Sequence, residues 1–430
     1  MKLNRFGIVK MKRLMVLFLV TGIAFHSNTD IFAATGISNA RALGLAGAYL
    51  SLARGAEAPN WNPANLGLDQ DPGFSMNFLS TGIGIHNNSF SKNQYDQYNG
   101  QYINNEEKRK LLNCISDDGL VIDLDTEVQI LGFAYRQFAL TATGMAESNL
   151  TIAKDLVELG LLGNAHKSRF DFGDTDGAAW AFNSYAFSAA FPIKLDPLER
   201  FAAGFNLKLI HGLFCFDVVK AGGALSTDVK VYGEGETIVQ YARGGLGLSL
   251  DLGAASMVND RWHIGLTFNN ILNTINWNRE AKRNVVLAKT DSLDLQTVMD
   301  VEDVDSLFYD EDHTDDINSF STTLPQEMRV GATYSARTYL ITMDYIQGFR
   351  RGPGVTTTPR LACGIEYKPL FWLPLRTGFA IGGRETFILA IGLGFKMGRV
   401  RLDLAATNQG SILPGSRHGS TLAFGIRLLP

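Results

Sequence analysis

Over residues 421–428 an apolar side chain stands at every second position: Leu422, Phe424, Ile426 and Leu428 alternate with Thr421, Ala423, Gly425 and Arg427. Val400, Leu402 and Leu404 alternate in the same way with Arg401, Asp403 and Ala405. Phe387, Leu389, Ile391, Leu393 and Phe395 repeat the pattern, with Gly392, Gly394 and Lys396 between them. A period of two sends alternate side chains to opposite faces of a sheet. One nearly continuous apolar face, backed by a face of small and polar residues, suits a sheet with lipid outside and polar groups inside. The predicted fold is all-β, a membrane-spanning antiparallel barrel.

Segments with this period lie near residues 73–86, 127–135, 138–147, 178–191, 200–213, 244–257, 261–271, 327–336, 338–347, 359–367, 374–383, 385–396, 399–407 and 420–429, about fourteen strands. The number is even, as a single-chain bacterial barrel requires. If the last strand ends in the periplasm, every second connection is a periplasmic turn. Those connections are short: Arg136 and Gln137, residues 192–199, 258–260, Arg337, residues 368–373, and Met397 with Gly398. The long ones, 87–126, 148–177, 214–243, 272–326 and 408–419, all fall on the outer side. Outer-membrane barrels have this asymmetry. The stretch from Gly382 to Glu385 then needs one tight outer turn.

Lys2, Arg5, Lys10, Lys12 and Arg13 precede an apolar run over residues 14–25, and Ala33 and Ala34 offer a cleavage site. About a dozen apolar residues are too few for a spanning helix, which needs about 20. Residues 1–34 therefore read as a secretory signal peptide, and the expected location is the bacterial outer membrane. The 44 glycines suit such a barrel and would equally suit a soluble β-rich enzyme. A formal net charge of −4 points away from a nucleic-acid partner. Three cysteines make no disulfide framework. Cys363 falls on an outward strand position, and a bridge between Cys114 and Cys215 in the outer loops is one option. Trp262 and Trp372 at inner turns, and Trp180 near an outer strand end, read either as interfacial indoles or as core side chains.

Before the first strand, residues 41–67 are rich in Ala, Gly and Leu and end in Trp61-Asn62-Pro63-Ala64. Pro63 fixes its own φ and biases Asn62 away from helix, so a short helical piece and a tight turn are expected. Gly47-Ala48-Tyr49 followed by Trp61-Asn62-Pro63-Ala64 resembles the N-terminal hatch of the FadL-like superfamily, the long-chain fatty acid and TodX-type transporters. Residues 324–345 and 364–370 resemble that superfamily's C-terminal strands, PorV-like secretion-system barrels included. The resemblance implies a hatch over residues 35–72 inside a barrel of residues 73–430, with Trp61, Asn62, Pro63 and Ala64 at the gate. It also implies passage of a small hydrophobic compound, or, for PorV-like relatives, a scaffold for surface or secretion proteins.

No enzyme signature is present: there is no G-x-S-x-G elbow and no H-E-x-x-H pair. Neither a cofactor nor a metal is expected, and the partners expected are outer-membrane lipid, a hydrophobic ligand or a surface protein. The predicted lumen set is Lys208, Asp251, Arg329, Asp344, Arg360, Glu366, Arg376, Arg401 and Asp403, either bracing wall and hatch or lining a wet passage. Arg376 and Arg401 are the candidates for hatch contacts. Asn104 is placed to cap a helix over residues 106–115. LTIAKDLVELGLL, residues 150–162, puts Ile152, Leu156, Val157 and Leu159 on one helical face, either packed on the rim or collecting an apolar ligand. Residues 291–316 carry eleven acids, Asp300, Glu302, Asp303, Asp305, Asp310, Glu311, Asp312, Asp315 and Asp316 among them, and no Lys or Arg. Without EF-hand spacing, this reads as a solvated acidic loop rather than a cation site.

Overall fold

A computed structural model describes residues 36–68, 73–196, 198–227, 230–293, 309–349 and 356–428. The signal-peptide reading, with Ala33 and Ala34, the last residues of the predicted hatch, and Asp300, Glu302, Asp303 and Asp305 lie outside the described residues.

Nineteen strands occur among the described residues: β1 (Phe74–Asn87), β2 (Leu120–Tyr135), β3 (Phe138–Ile152), β4 (Arg169–Asp171), β5 (Asp176–Ile193), β6 (Arg200–Thr227), β7 (Val231–Ala242), β8 (Gly245–Met257), β9 (Trp262–Trp277), β10 (Lys282–Leu293), β11 (Tyr309–Asp316), β12 (Phe320–Thr322), β13 (Glu327–Ser335), β14 (Tyr339–Gly348), β15 (Arg360–Leu370), β16 (Leu373–Gly382), β17 (Phe387–Met397), β18 (Val400–Gln409) and β19 (Gly419–Leu428). Fourteen of them form the wall, in the order β1, β2, β3, β5, β6, β8, β9, β13 to β19, each antiparallel to the next. The ring closes where β19 pairs with β1, from Met76 opposite Leu428 to His86 opposite Gly419. Closure removes every wall edge, which lipid demands because it offers no hydrogen bonds to an unpaired backbone.

All fourteen wall strands coincide with predicted segments. The tight turn is also present: β16 ends at Gly382 and β17 begins at Phe387, with Gly382, Gly383 and Thr386 at positive φ. Outward positions carry large apolar side chains in the open, such as Ile83, Leu140, Phe187, Leu246 and Ile391. At about 25 cal/mol per Å² of apolar surface, such a belt is stable only against lipid. Trp262 and Trp372 sit partly exposed at the short-turn end, beside Tyr334 and Phe395 respectively.

One expectation is corrected and two open readings are decided. The outer connections 214–243 and 272–326 are not plain loops, because β6 continues to Thr227 and pairs with β7, β7 with β10, and β10 with β11. The sheet they build rises above the wall, and the acidic stretch joins it at β11, where Lys282 and Arg283 stand opposite Asp316 and Asp315. Trp180 is not an interfacial indole: it is buried and points inward, its indole N–H donating to Glu147. The three cysteines are free, Cys215 being buried.

Two outer-loop helices bear on the expected collecting surface. α3 (Asn105–Leu112) follows α1 (Ala40–Leu43) and α2 (Lys92–Tyr98) and is capped as predicted, Asn104 and Glu107 forming a reciprocal capping box. α4 spans Lys154–Leu162, later than predicted. Ile152 belongs to β3, opposite Leu120 on β2, so it shares no helical face with Leu156 and Leu159. Ile152, Val157 and Leu162 pack on Leu112, Ile115 and Leu120, which is the rim-packing alternative for those side chains. Leu156 and Leu159 are half-buried.

Candidate functional site

Residues 36–68 run through the barrel interior. Their backbone is mostly turns, with α1 capped by Asn39 and short 3-10 stretches at Gly55–Asn60 and Pro63–Gly67. Small side chains let this segment press against the wall: Ala64 and Leu68 meet Ala202 and Ala255, and Ala46 and Ala48 meet Ala362, Ala380 and Ala390. The wall answers with glycine. A Cβ on Gly378 would lie 2.5 Å from the carbonyl carbon of Leu45, and one on Gly253 would lie 2.2 Å from Asn62 Oδ1. The glycine-rich strands thus make room for a plug.

Polar contacts fix the plug's register, since each buried backbone group needs a partner. Glu127 on β2 accepts from the Gly36 amide (2.7 Å) and the Ser38 hydroxyl (2.7 Å). Asp344 Oδ2 on β14 accepts from the amides of Tyr49 (2.7 Å) and Leu50 (2.8 Å). Arg360 donates to the Ala46 carbonyl at 2.6 Å, and Asn206 to the Pro59 carbonyl at 2.5 Å. In the Trp-Asn-Pro-Ala motif, Asn62 caps the turn by accepting from the Ala64 amide (3.0 Å) and donates to the Ala254 carbonyl of β8 (2.9 Å). Trp61 packs edge-on against Tyr49, centroids 5.3 Å apart, with the Arg329 guanidinium over its ring at 5.4 Å.

Near the short-turn end the plug enters a charge cluster. Arg41 forms a two-toothed pair with Glu366 at 2.9 and 3.1 Å. Glu366 also takes Arg376 Nε at 2.8 Å and Arg401 at 3.5 Å. Asp403 takes Arg376 at 2.8 Å, Arg427 at 2.5 Å and Arg401 at 3.3 Å. Arg427 closes the circuit on Glu57 of the plug, which also accepts from the Tyr49 hydroxyl at 2.8 Å. Arg376 and Arg401 therefore reach the plug through Glu366, not directly as expected.

The whole predicted lumen set faces inward, Lys208 and Asp251 pairing at 2.6 Å on the opposite wall. Missed were Arg41, Glu57, Glu127, Arg384 and Arg427. A signal for the first two existed: Arg41, Arg54 and Glu57 are the only charges in residues 36–68, and a charge enclosed in a barrel demands a counter-charge on its wall.

Two cavities lie above the plug, toward the long loops. One of about 110 Å³ is floored by Ile37, Leu43 and Trp61, walled by Glu327, Arg329, Arg360 and Gln409, and roofed by residues 383–385. From that roof Arg384 reaches Asp125 on β2 at 2.6 Å. The other, about 40 Å³, rests on Pro59 and Asn60 among Met145, Phe182, Lys208, Asp251 and Leu324. Predicted residues thus divide into plug (Trp61, Asn62, Pro63, Ala64), charge cluster (Arg376, Arg401, Asp403) and cavity wall (Arg329), while Ile152, Leu156 and Leu159 lie apart in the outer loop. Among the described residues no group of three or more His, Cys, Asp or Glu side chains is arranged to hold a metal ion.

A family model described as a family of unknown function (DUF5723) matches residues 63–242 and 232–406. No curated protein matches the sequence. Among solved structures, the Ralstonia pickettii toluene transporter TbuX is similar at 16% identity and TM-score 0.50, over 94% of this chain and 99% of that one. A Pseudomonas aeruginosa FadL homologue is similar at 12% identity and TM-score 0.49, over 93% and 99%. The monoaromatic hydrocarbon channel CymD is similar at 13% identity and TM-score 0.48, over 92% and 97%. At such identities likeness speaks to fold, and TbuX bears that argument. The fold shared with TbuX is that of a FadL-type barrel.

Proposed function

We propose, from the premise that the chain belongs to the family of unknown function DUF5723, that it is an outer-membrane channel passing a small hydrophobic compound, with residues 36–68 as its gate. The observation that carries this is the plug itself. It lies inside a closed barrel, held by separate hydrogen bonds and ion pairs against small wall residues, not by strand pairing with the wall. Such contacts break one by one, at about 0.5–1.5 kcal/mol for a typical hydrogen bond and more where a charge takes part, so the plug can shift while the wall's ladder stays whole. TbuX, a toluene transporter, shares the fold. An apolar cargo also suits the wide Trp61 ring that floors the larger cavity, where arginines and carboxylates neutralise one another along the wall.

The test is flux. Vesicles with a lipopolysaccharide outer leaflet, which resists apolar solutes, are loaded with the purified barrel and exposed to radiolabelled toluene. Uptake faster than in protein-free vesicles is expected. Equal uptake, with a surface protein co-purifying with the barrel, would favour a docking scaffold instead.

A further inference from the structure

Inside the barrel the arginines are answered by carboxylates: Arg376 and Arg401 meet Glu366 and Asp403, Arg329 meets Glu327, and Arg384 meets Asp125. At the short-turn rim two arginines are not. Arg261, between β8 and β9, and Arg337, between β13 and β14, are exposed, and among the described residues neither has a carboxylate within ion-pair distance.

Both are nevertheless held in place. The Asn259 side chain accepts from the amides of Arg261 and Trp262, each at 2.9 Å, and the Arg261 carbonyl accepts from the Ser335 amide at 2.8 Å, so the two turns are laced together. The Ala336 amide donates to the Tyr339 carbonyl at 2.8 Å and closes the turn that presents Arg337. Arg261 Nη1 donates to the Tyr334 hydroxyl at 3.4 Å. Tyr334 is on the outward face of β13, opposite Trp262 of β9, since Arg329, Gly331 and Thr333 take the inward face. Its ring lies 5.2 Å from that of Trp262 and 6.4 Å from that of Tyr339, centroid to centroid, and Tyr339 stands opposite Tyr367 of β15. Four rings on four consecutive wall strands thus edge the exposed apolar belt of Ile264, Val330, Ile341 and Ile365. Indole and phenol rings settle at the level of lipid headgroups, so the Arg261 guanidinium is held at that level, on the lipid side of the wall. Outer-membrane barrels set their short turns in the periplasm, where the facing leaflet is phospholipid.

We propose that Arg261 and Arg337, with the rings of Trp262, Tyr334 and Tyr339, form a binding site for the phosphate of an anionic phospholipid in the inner leaflet. A guanidinium forks two phosphate oxygens, and the rings offer flat apolar faces to the glycerol and upper acyl chains. A zwitterionic headgroup brings its own cation and gains less from two unpaired positive charges; an anionic one gains in full. An acidic periplasmic protein is the less suitable partner, because Arg261 lies against an outward ring and not beneath the barrel. The site is independent of what the channel carries.

Lipids with dibrominated acyl chains quench an indole only on contact. The parent protein for the test carries Trp372→Phe, which leaves Trp262 as the lipid-facing indole, Trp61, Trp180 and Trp277 being buried. It is placed in phosphatidylcholine vesicles with rising fractions of brominated phosphatidylglycerol or brominated phosphatidylcholine. Half-maximal quenching is expected at a several-fold lower fraction of the phosphatidylglycerol, and at equal fractions after Arg261→Gln with Arg337→Gln. Arg136→Gln, in the β2–β3 turn with β5, β6 and β8 in between, should keep the preference. Equal fractions in the parent would overturn the proposal and leave the two arginines to an acidic periplasmic protein. A preference that survives the double substitution, or that Arg136→Gln removes as well, would overturn it in favour of the general charge of the rim. A preference abolished by excess inorganic phosphate would overturn the lipid as its source. Heat-modifiable gel mobility reports insertion of each variant; should the double variant fail to insert, each single variant is expected to lose part of the preference, and an undiminished preference in both would overturn the site.

Discussion

Glu366 is the wall carboxylate that holds Arg41 of the plug, and Arg376 and Arg401 of the wall point at the same fully buried group. Removing one partner of a buried ion pair costs about 3–5 kcal/mol, because the opposite charge is left without compensation. Glu366→Gln should therefore loosen the plug while the wall persists. Limited proteolysis in nanodiscs should cut within residues 36–68 of the variant, and not of the wild type, at unchanged heat-modifiable gel mobility. At this scale the sequence was partly legible. Alternation put Glu366, Arg376, Arg401 and Asp403 inside, but a period of two reports only a face, not the height or partner of a side chain, so Arg41 and Arg427 went unread. Trp180 went unread for a related reason: an indole near a strand end fits both an interface and a lumen, and only the register of β5 against β3 and β6 settles which.

Elements were more legible than contacts. All fourteen wall strands were visible because each has lipid on one face, which forces strict alternation. The strands β7, β10 and β11 stand above the wall with no lipid to enforce a pattern, and their polar sequences read as loops. The plug shows the same contrast: its motif was recognisable, whereas the wall glycines that seat it looked only like a relief of crowding. Gly378→Val tests that seating, since its first side-chain atom would fall 2.5 Å from Leu45 backbone. The plug should shift and single-channel conductance should rise, with barrel assembly intact; an unchanged conductance in the folded variant would mean that the plug accommodates the side chain in place. Deleting residues 421–430 tests the wall. It removes most of β19 and leaves β18 and β1 with open edges in lipid, at several kcal/mol for each unsatisfied backbone group. Assembly should fail, and normal surface levels of the truncated protein would mean that the barrel closes elsewhere.

In the whole molecule, a lipid-supported wall encloses a plug pinned to it from within, and cavities stack above the plug toward the outer loops. On this reading the plug, not the wall, controls passage. The Asn62-Pro63 turn is the place to test it, because Asn62 both caps the turn and bonds the Ala254 carbonyl of the wall, while Pro63 holds the backbone that presents it. The double substitution Asn62→Ala with Pro63→Gly removes those restraints at a cost of about 1–3 kcal/mol for the buried partners left unpaired, and leaves every wall strand as it is. The decisive measurement is uptake of radiolabelled toluene, alongside single-channel conductance, for the double variant and the wild type in the same lipopolysaccharide-bearing vesicles. Faster uptake and higher conductance in a correctly inserted double variant are the predicted result; uptake and conductance identical to wild type, with binding of a surface protein lost, would contradict the gate and leave a scaffold in its place.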